Sequence, residues 1–227
     1  KLKIYKNKKI FFLYGWLFGF GYFSTNIYWI TISLTFDQNL TFLIPIALAL
    51  IPSFLSIFYG LVSLVFYLFK LRNIMSAFFL FSLLFGITEY LRGHILTGFP
   101  WNLIVYSLSE NINFISFISL VGTYSFNLLM ISFFSAPAIY ILRQSKKEIV
   151  LSALLLLMPI LFFSYSLFHK QEFLKTELKK NPYIVRIIGS NISLDRFYSN
   201  TQAEFVIDEL IKISNPKQNE KILFLWP

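Results

Sequence analysis

The 227 residues are 56% hydrophobic and only 14% charged, with 28 Phe, no Cys and a formal net charge of +9. At a mean hydropathy of +0.65, the first three quarters of the chain lacks the polar residues that would clothe a soluble domain. The absent cysteines exclude a disulfide, a thiolate metal site or a cysteine nucleophile within these residues. The positive charge does not point to nucleic acid, because ten of the twenty Lys and Arg lie in three short clusters at the ends of apolar runs. There they orient a membrane protein and meet headgroups.

Five apolar runs are each long enough to cross a hydrocarbon core of roughly 30 Å, which takes about 20 helical residues. They fall at 11–34, 40–69, 74–91, 114–142 and 149–168, and backbone in lipid must satisfy its own hydrogen bonds, so they are expected to be helices. The fold class is therefore a membrane α-helical bundle over residues 1–168. The second and fourth runs would measure about 45 Å at 1.5 Å per residue, so tilting or kinking is expected, with Pro45, Pro52 and Pro137 as the kink points.

In the first run, Gly15 and Gly19 form a small-xxx-small face suited to close helix packing. Lys1, Lys3, Lys6, Lys8 and Lys9 precede this run, Lys70 and Arg72 follow the second, and Arg143, Lys146 and Lys147 follow the fourth. The alternate loops hold only Arg92, which makes the amino end cytoplasmic and places everything after Phe168 on the outer face.

The third run ends in "ITEYLRGHILTGFPWN" (87–102). Glu89 and Arg92, three apart, share one helix face. Two readings stand side by side: a pair that ends the helix near the headgroups, or an Arg92 that meets a lipid phosphate while Glu89 sets its direction. The following "HILTGFPWNLIVY" is too short to span and is expected to rest in the interface, anchored by Trp101 and Tyr106. Gly98 permits a backbone conformation closed to other residues and Pro100 fixes the next bend. This segment reads either as a plain loop or as a lipid-binding floor.

His94 and His169 are isolated, so no metal site is expected, and no cofactor motif is present. Residues 169–182 read as a polar linker. "YIVRIIG" (183–189) reads as a strand, 201–214 as a helix with one covered face, and "KILFLWP" (221–227) as a second strand, the start of a parallel α/β domain. Asn191, Asp195 and Arg196 follow the first strand, where such domains place binding loops.

The segments "TEYLRGHILTGFPW" (88–101), "GWLFGFGYF" with "IYWI" (15–30), "SNI" (190–192) and the terminal "LFLWP" together resemble the apolipoprotein N-acyltransferase family. The resemblance implies a multi-pass protein of the bacterial inner membrane whose 183–227 segment begins a periplasmic nitrilase-like domain. It implies an acyl chain taken from a phospholipid, usually phosphatidylethanolamine, onto a cysteine thiolate and passed to the α-amine of a lipoprotein's diacylglyceryl-cysteine. It also implies that the first spans, and the catalytic Glu, Lys and Cys, lie outside these residues, the Glu directly after Pro227. Lipid-binding candidates are then Glu89, Arg92, Gly98, Pro100, Trp101 and Tyr198, the last standing where the family has a substrate-contacting Trp. The 193–198 loop departs from the family pattern, with Ser193 and Leu194 in place of Pro-Gln. The competing expectation is a non-catalytic membrane lipid-binding module from a split or degraded gene.

Overall fold

The computed structural model describes residues 7–96, 98–176, 183–189, 203–217 and 221–226. The chain divides into two compact units, 1–173 and 174–227. The first is helical. Helix α1 (Lys8–Asn26) starts at an Asn7 cap whose side chain accepts from the Lys9 amide. Helix α2 (Ile44–Leu68) follows two 3-10 segments, and α3 (Ile74–Arg92) starts at Asn73, whose side chain accepts from the Ser76 amide. Two short turns, α4 (Ile112–Ile115) and α5 (Ile118–Val121), lead into α6 (Thr123–Leu142) and α7 (Lys146–Lys175). Among the described residues, four stretches, Gln38–Leu68, Ile74–Arg92, Thr123–Leu142 and Lys146–Lys175, are long and apolar enough to cross a membrane.

Three expected boundaries are corrected. The run at 11–34 is not one helix: α1 stops at Asn26 and Tyr28–Thr35 continues as a 3-10 segment. The hydroxyls of Thr31, Ser33 and Thr35 each donate to the carbonyl three residues back, a local competition that favours the tighter winding. The run at 114–142 is broken at Gly122, whose φ of +80° lies in a region that a side chain disfavours. Helix α6 therefore begins at Thr123 and, at 20 residues, is about 30 Å long, matching the hydrocarbon core without excess. Helix α7 runs to Lys175, seven residues beyond the expected end at Phe168, because "HKQEFLK" contains good helix formers and no breaker. Pro45 lies in the first turn of α2, where its missing N–H costs nothing, whereas Pro52 and Pro137 lie inside helices.

Helices α1 and α2 pack closely through the glycine face. A Cβ on Gly15 would meet the Tyr59 carbonyl and the Ser63 side chain, and one on Gly19 would meet Ser56 and Tyr59. The close approach seats Tyr59 among Phe23 and Phe85, with ring centroids 5.1 and 4.6 Å away. This cluster, with Ile27, Leu55, Val62 and Ile131, forms one core. A second core joins Leu103 and Val105 to Phe126, Met130 and Phe162.

In the second unit, β1 (Ile184–Ile187) and β2 (Ile222–Leu225) pair in parallel, Ile184 opposite Ile222 and Ile187 opposite Leu225. A parallel pair needs a crossover, and α8 (Ala203–Ser214) lies between the strands in sequence. Buried Ser214 ties the unit together: its carbonyl accepts from Arg186 Nη1 at 3.1 Å and its hydroxyl accepts from Trp226 Nε1 at 2.9 Å.

Candidate functional site

The C-terminal end of α3 carries a buried ion pair. Glu89 is 0% and Arg92 1% exposed. Arg92 Nε donates to Glu89 Oε1 at 3.1 Å and Nη2 to Oε2 at 2.8 Å, a two-pronged match of fork to carboxylate. Nη1 donates to the carbonyls of Phe99 and Trp101, at 2.7 and 2.9 Å. The guanidinium also lies over the rings of Phe23 and Phe99, 5.2 and 5.9 Å from their centroids. The sequence left Arg92 free to meet a phosphate. In the fold its donors are turned to the protein's own carboxylate and carbonyls.

Those two carbonyls belong to a loop that folds back on the helix end. The Gly93 amide bonds Glu89 O, Gly98 bonds Ile95 O, and Phe99 bonds Arg92 O. Gly98 has φ +77°, and a Cβ there would press on the Gly93 carbonyl, so this turn requires glycine. Pro100 follows with its φ fixed by the ring, and the carbonyls of its two neighbours, Phe99 and Trp101, accept from Arg92. Asn102 takes φ +56°, a value Asn tolerates better than most residues. Its carbonyl accepts from the Tyr22 hydroxyl at 2.9 Å and its side-chain amide donates to Asn26 O at 3.1 Å. Trp29 Nε1 donates to the same Asn26 carbonyl at 3.0 Å.

The result is a pair of indoles, Trp29 and Trp101, with ring centroids 5.1 Å apart and planes inclined by 41°. Trp101 remains 54% and Trp29 37% exposed. Together with Pro100, Asn102 and Tyr106 they line an open groove of about 400 Å³. Beyond it, the Val105 amide donates to Asn127 Oδ1 at 2.9 Å, fixing the turn Ile104–Leu108 against α6. His94 stacks on Tyr90, with centroids 4.1 Å apart, beside Tyr124. Among the described residues, no three His, Cys, Asp or Glu side chains come together as a metal site.

Residues 2–136 match the family described as the apolipoprotein N-acyltransferase N-terminal domain. That is more than half of the chain. The chain belongs to the apolipoprotein N-acyltransferase family. An apolipoprotein N-acyltransferase of Rhizobium etli is 32% identical over 183 residues, which cover 80% of this chain and 34% of that protein. One from Rhodopseudomonas palustris is 38% identical over 130 residues, 56% of this chain and 24% of that protein. One from Rhizobium leguminosarum is 29% identical over 223 residues, 95% of this chain and 41% of that protein. The chain thus spans well under half the length of these family members.

Arg92 ties the two ends of segment 88–101 together, through Glu89 at one end and the Phe99 and Trp101 carbonyls at the other. Glu89, Arg92, Gly98, Pro100 and Trp101 come together in the structure; Tyr198 and the loop around it lie outside the described residues. Sequence reasoning missed Tyr22, Asn26, Asn102 and Asn127 as the groups that hold the loop. Of these, Asn127 carried a visible signal, a lone amide in an otherwise apolar helix. The others are recognisable only once 80 residues of separation are closed by the fold.

Proposed function

We propose that residues 1–227 are the membrane portion, and the start of the outer domain, of an enzyme that moves an acyl chain from a phospholipid to the N-terminal amine of a lipoprotein's diacylglyceryl-cysteine. The reading is supported by membership of the family over the membrane portion. The geometry adds a half-exposed aromatic groove at the helix ends where α1 and α3 finish. With Lys8 and Lys9 in the first turn of α1, Lys70 and Arg72 before α3, and Arg143, Lys146 and Lys147 where α6 ends and α7 begins, the positive-inside rule favours a periplasmic side of the inner membrane for those ends. The parallel β–α–β unit would then open a nitrilase-like periplasmic domain, with Tyr198 among the lipid-binding candidates. Both substrates are lipids held in the outer leaflet, and an open groove lined by Trp and Tyr suits the interfacial level at which those residues are enriched.

The reaction runs in two steps. A cysteine outside these residues gives its proton to a glutamate base and attacks the donor's ester carbonyl as the thiolate; the ester C–O bond breaks, a thioester forms and the lysophospholipid oxygen leaves with the glutamate's proton. The lipoprotein amine then attacks the thioester and loses a proton to the glutamate, the C–S bond breaks, an amide forms and the thiolate is returned. A glutamate base and a lysine at the developing oxyanion, also outside these residues, complete the site. Pro100, Trp101, Trp29 and Tyr106 would seat lipid, while Gly98, Glu89 and Arg92 shape the loop that carries Pro100 and Trp101.

The direct test uses the complete gene product, purified in detergent and given phosphatidylethanolamine and a diacylated lipopeptide with a free α-amine. Mass spectrometry should show a gain of one acyl chain on the peptide and a matching lysophospholipid. A complete protein that leaves the peptide unchanged with every common phospholipid would overturn the reading.

A further inference from the structure

We propose that Arg92 is a positioning residue for acyl-donor binding: from its buried place it sets the Trp29–Trp101 pair without touching lipid itself. The inference rests on the acyltransferase reading above and assigns Arg92 a specific part in it.

Four of the guanidinium's N–H groups are spent inside the protein, two on Glu89 and two on the carbonyls that flank Pro100. The second of those carbonyls belongs to Trp101 itself. From there the restraint passes along one residue, since Asn102 is held by Tyr22 at its carbonyl and by Asn26 through its side chain. Asn26 O is also the acceptor that fixes the Trp29 indole. Both indoles are therefore pinned, one through its backbone and one through its ring nitrogen, while their faces stay half open. Apolar side chains could fill the same volume at lower cost, because a buried ion pair seldom gains over a hydrophobic replacement. The guanidinium instead reaches a carboxylate and two loop carbonyls at once. Lysine cannot do so: its ammonium is a compact point charge and lacks the planar fork.

The consequence is a division of labour. Trp101 presents the surface, Arg92 places it, and Glu89 keeps the guanidinium aimed at the loop. A change at Arg92 should then act through Trp101 and on donor binding, not on the chemical step.

The test is a double-mutant cycle on the complete enzyme, with Arg92→Lys, Trp101→Leu and the double variant, reading KM for phospholipid in mixed micelles separately from kcat. Each single variant should raise KM about ten-fold, the scale of one charge-assisted hydrogen bond or one stacked contact, with kcat within about two-fold. In the Trp101→Leu background, Arg92→Lys should add almost nothing. Fluorotryptophan labelling supplies a second readout independent of activity: the Trp101 fluorine resonance, assigned by its loss in Trp101→Leu, should shift in Arg92→Lys. Multiplicative KM effects, a fall in kcat alone, or an unmoved Trp101 resonance would each overturn the inference. If the parent enzyme transfers no acyl chain, the acyltransferase reading fails and the fluorine measurement still decides whether Arg92 places Trp101.

Discussion

Two glutamates are buried at helix ends in the same bundle, and they are stabilised in opposite ways. Glu148 sits in the first turn of α7, where its carboxylate accepts from the amides of Gln144 and Ser145. Those amides are unpaired donors at the positive end of the helix dipole, so the acid needs no cation. Glu89 lies in the last turn of α3, at the negative end of the dipole, with no free amides to meet. It is matched instead by the guanidinium of Arg92. The lesson is that the polarity of a helix end decides whether a buried acid can live on backbone groups or must recruit a base. Once recruited, the base has spare donors, and here they hold the loop 93–102.

The contrast ranks the expected damage. Arg92→Ala leaves Glu89 charged and unpaired in the core, a loss of about 3–5 kcal/mol, visible as early unfolding of the detergent-solubilised protein in a denaturant titration. Replacing both partners, Glu89→Leu with Arg92→Met, should recover most of that stability while leaving the loop carbonyls unheld. Stability and loop placement would thereby separate. Next comes Asn127→Ala, which strands the buried Val105 amide and costs about 1–3 kcal/mol; amide hydrogen exchange at 103–108 should accelerate. Gly15→Leu belongs on a similar scale, about 1–3 kcal/mol of overpacking where α1 meets the Tyr59 carbonyl. Its signature is thermal destabilisation in detergent that Gly21→Leu, at a position with nothing near its missing Cβ, does not share. Glu148→Ala is the mildest, about 1 kcal/mol for a lost cap, and should not affect exchange in the 93–102 loop. If Glu148→Ala proved as costly as Arg92→Ala, the dipole explanation for the two acids would break.

The membrane class and the helices were legible because runs of apolar residues and their length speak directly to bilayer thickness. Where the runs were misjudged, local chemistry overrode hydropathy: Gly122 split 114–142, and the Thr31, Ser33 and Thr35 hydroxyls tightened the end of 11–34. Neither is visible to a window that counts apolar residues. At the site, Gly98 and Pro100 were legible as a turn, since glycine at positive φ and a residue without N–H both announce themselves. The role of Arg92 was not. Its spacing from Glu89 gave the pair, but a charged residue at a helix end looks the same whether its head faces lipid or folds inward. What decides it is the return of the chain at Phe99 and Trp101, brought by the turn at Gly98.

The central claim is that Arg92 spends its charge on the protein and not on lipid phosphate. Solid-state NMR in phospholipid bilayers tests it by dipolar dephasing between the labelled Arg92 guanidinium carbon and lipid phosphorus, with Arg92→Lys identifying the signal. The expected result is no dephasing by phosphorus and clear coupling of the guanidinium to the labelled carbonyl carbons of Phe99 and Trp101. Strong phosphorus dephasing, with those carbonyl couplings absent, would contradict it and return Arg92 to the lipid surface.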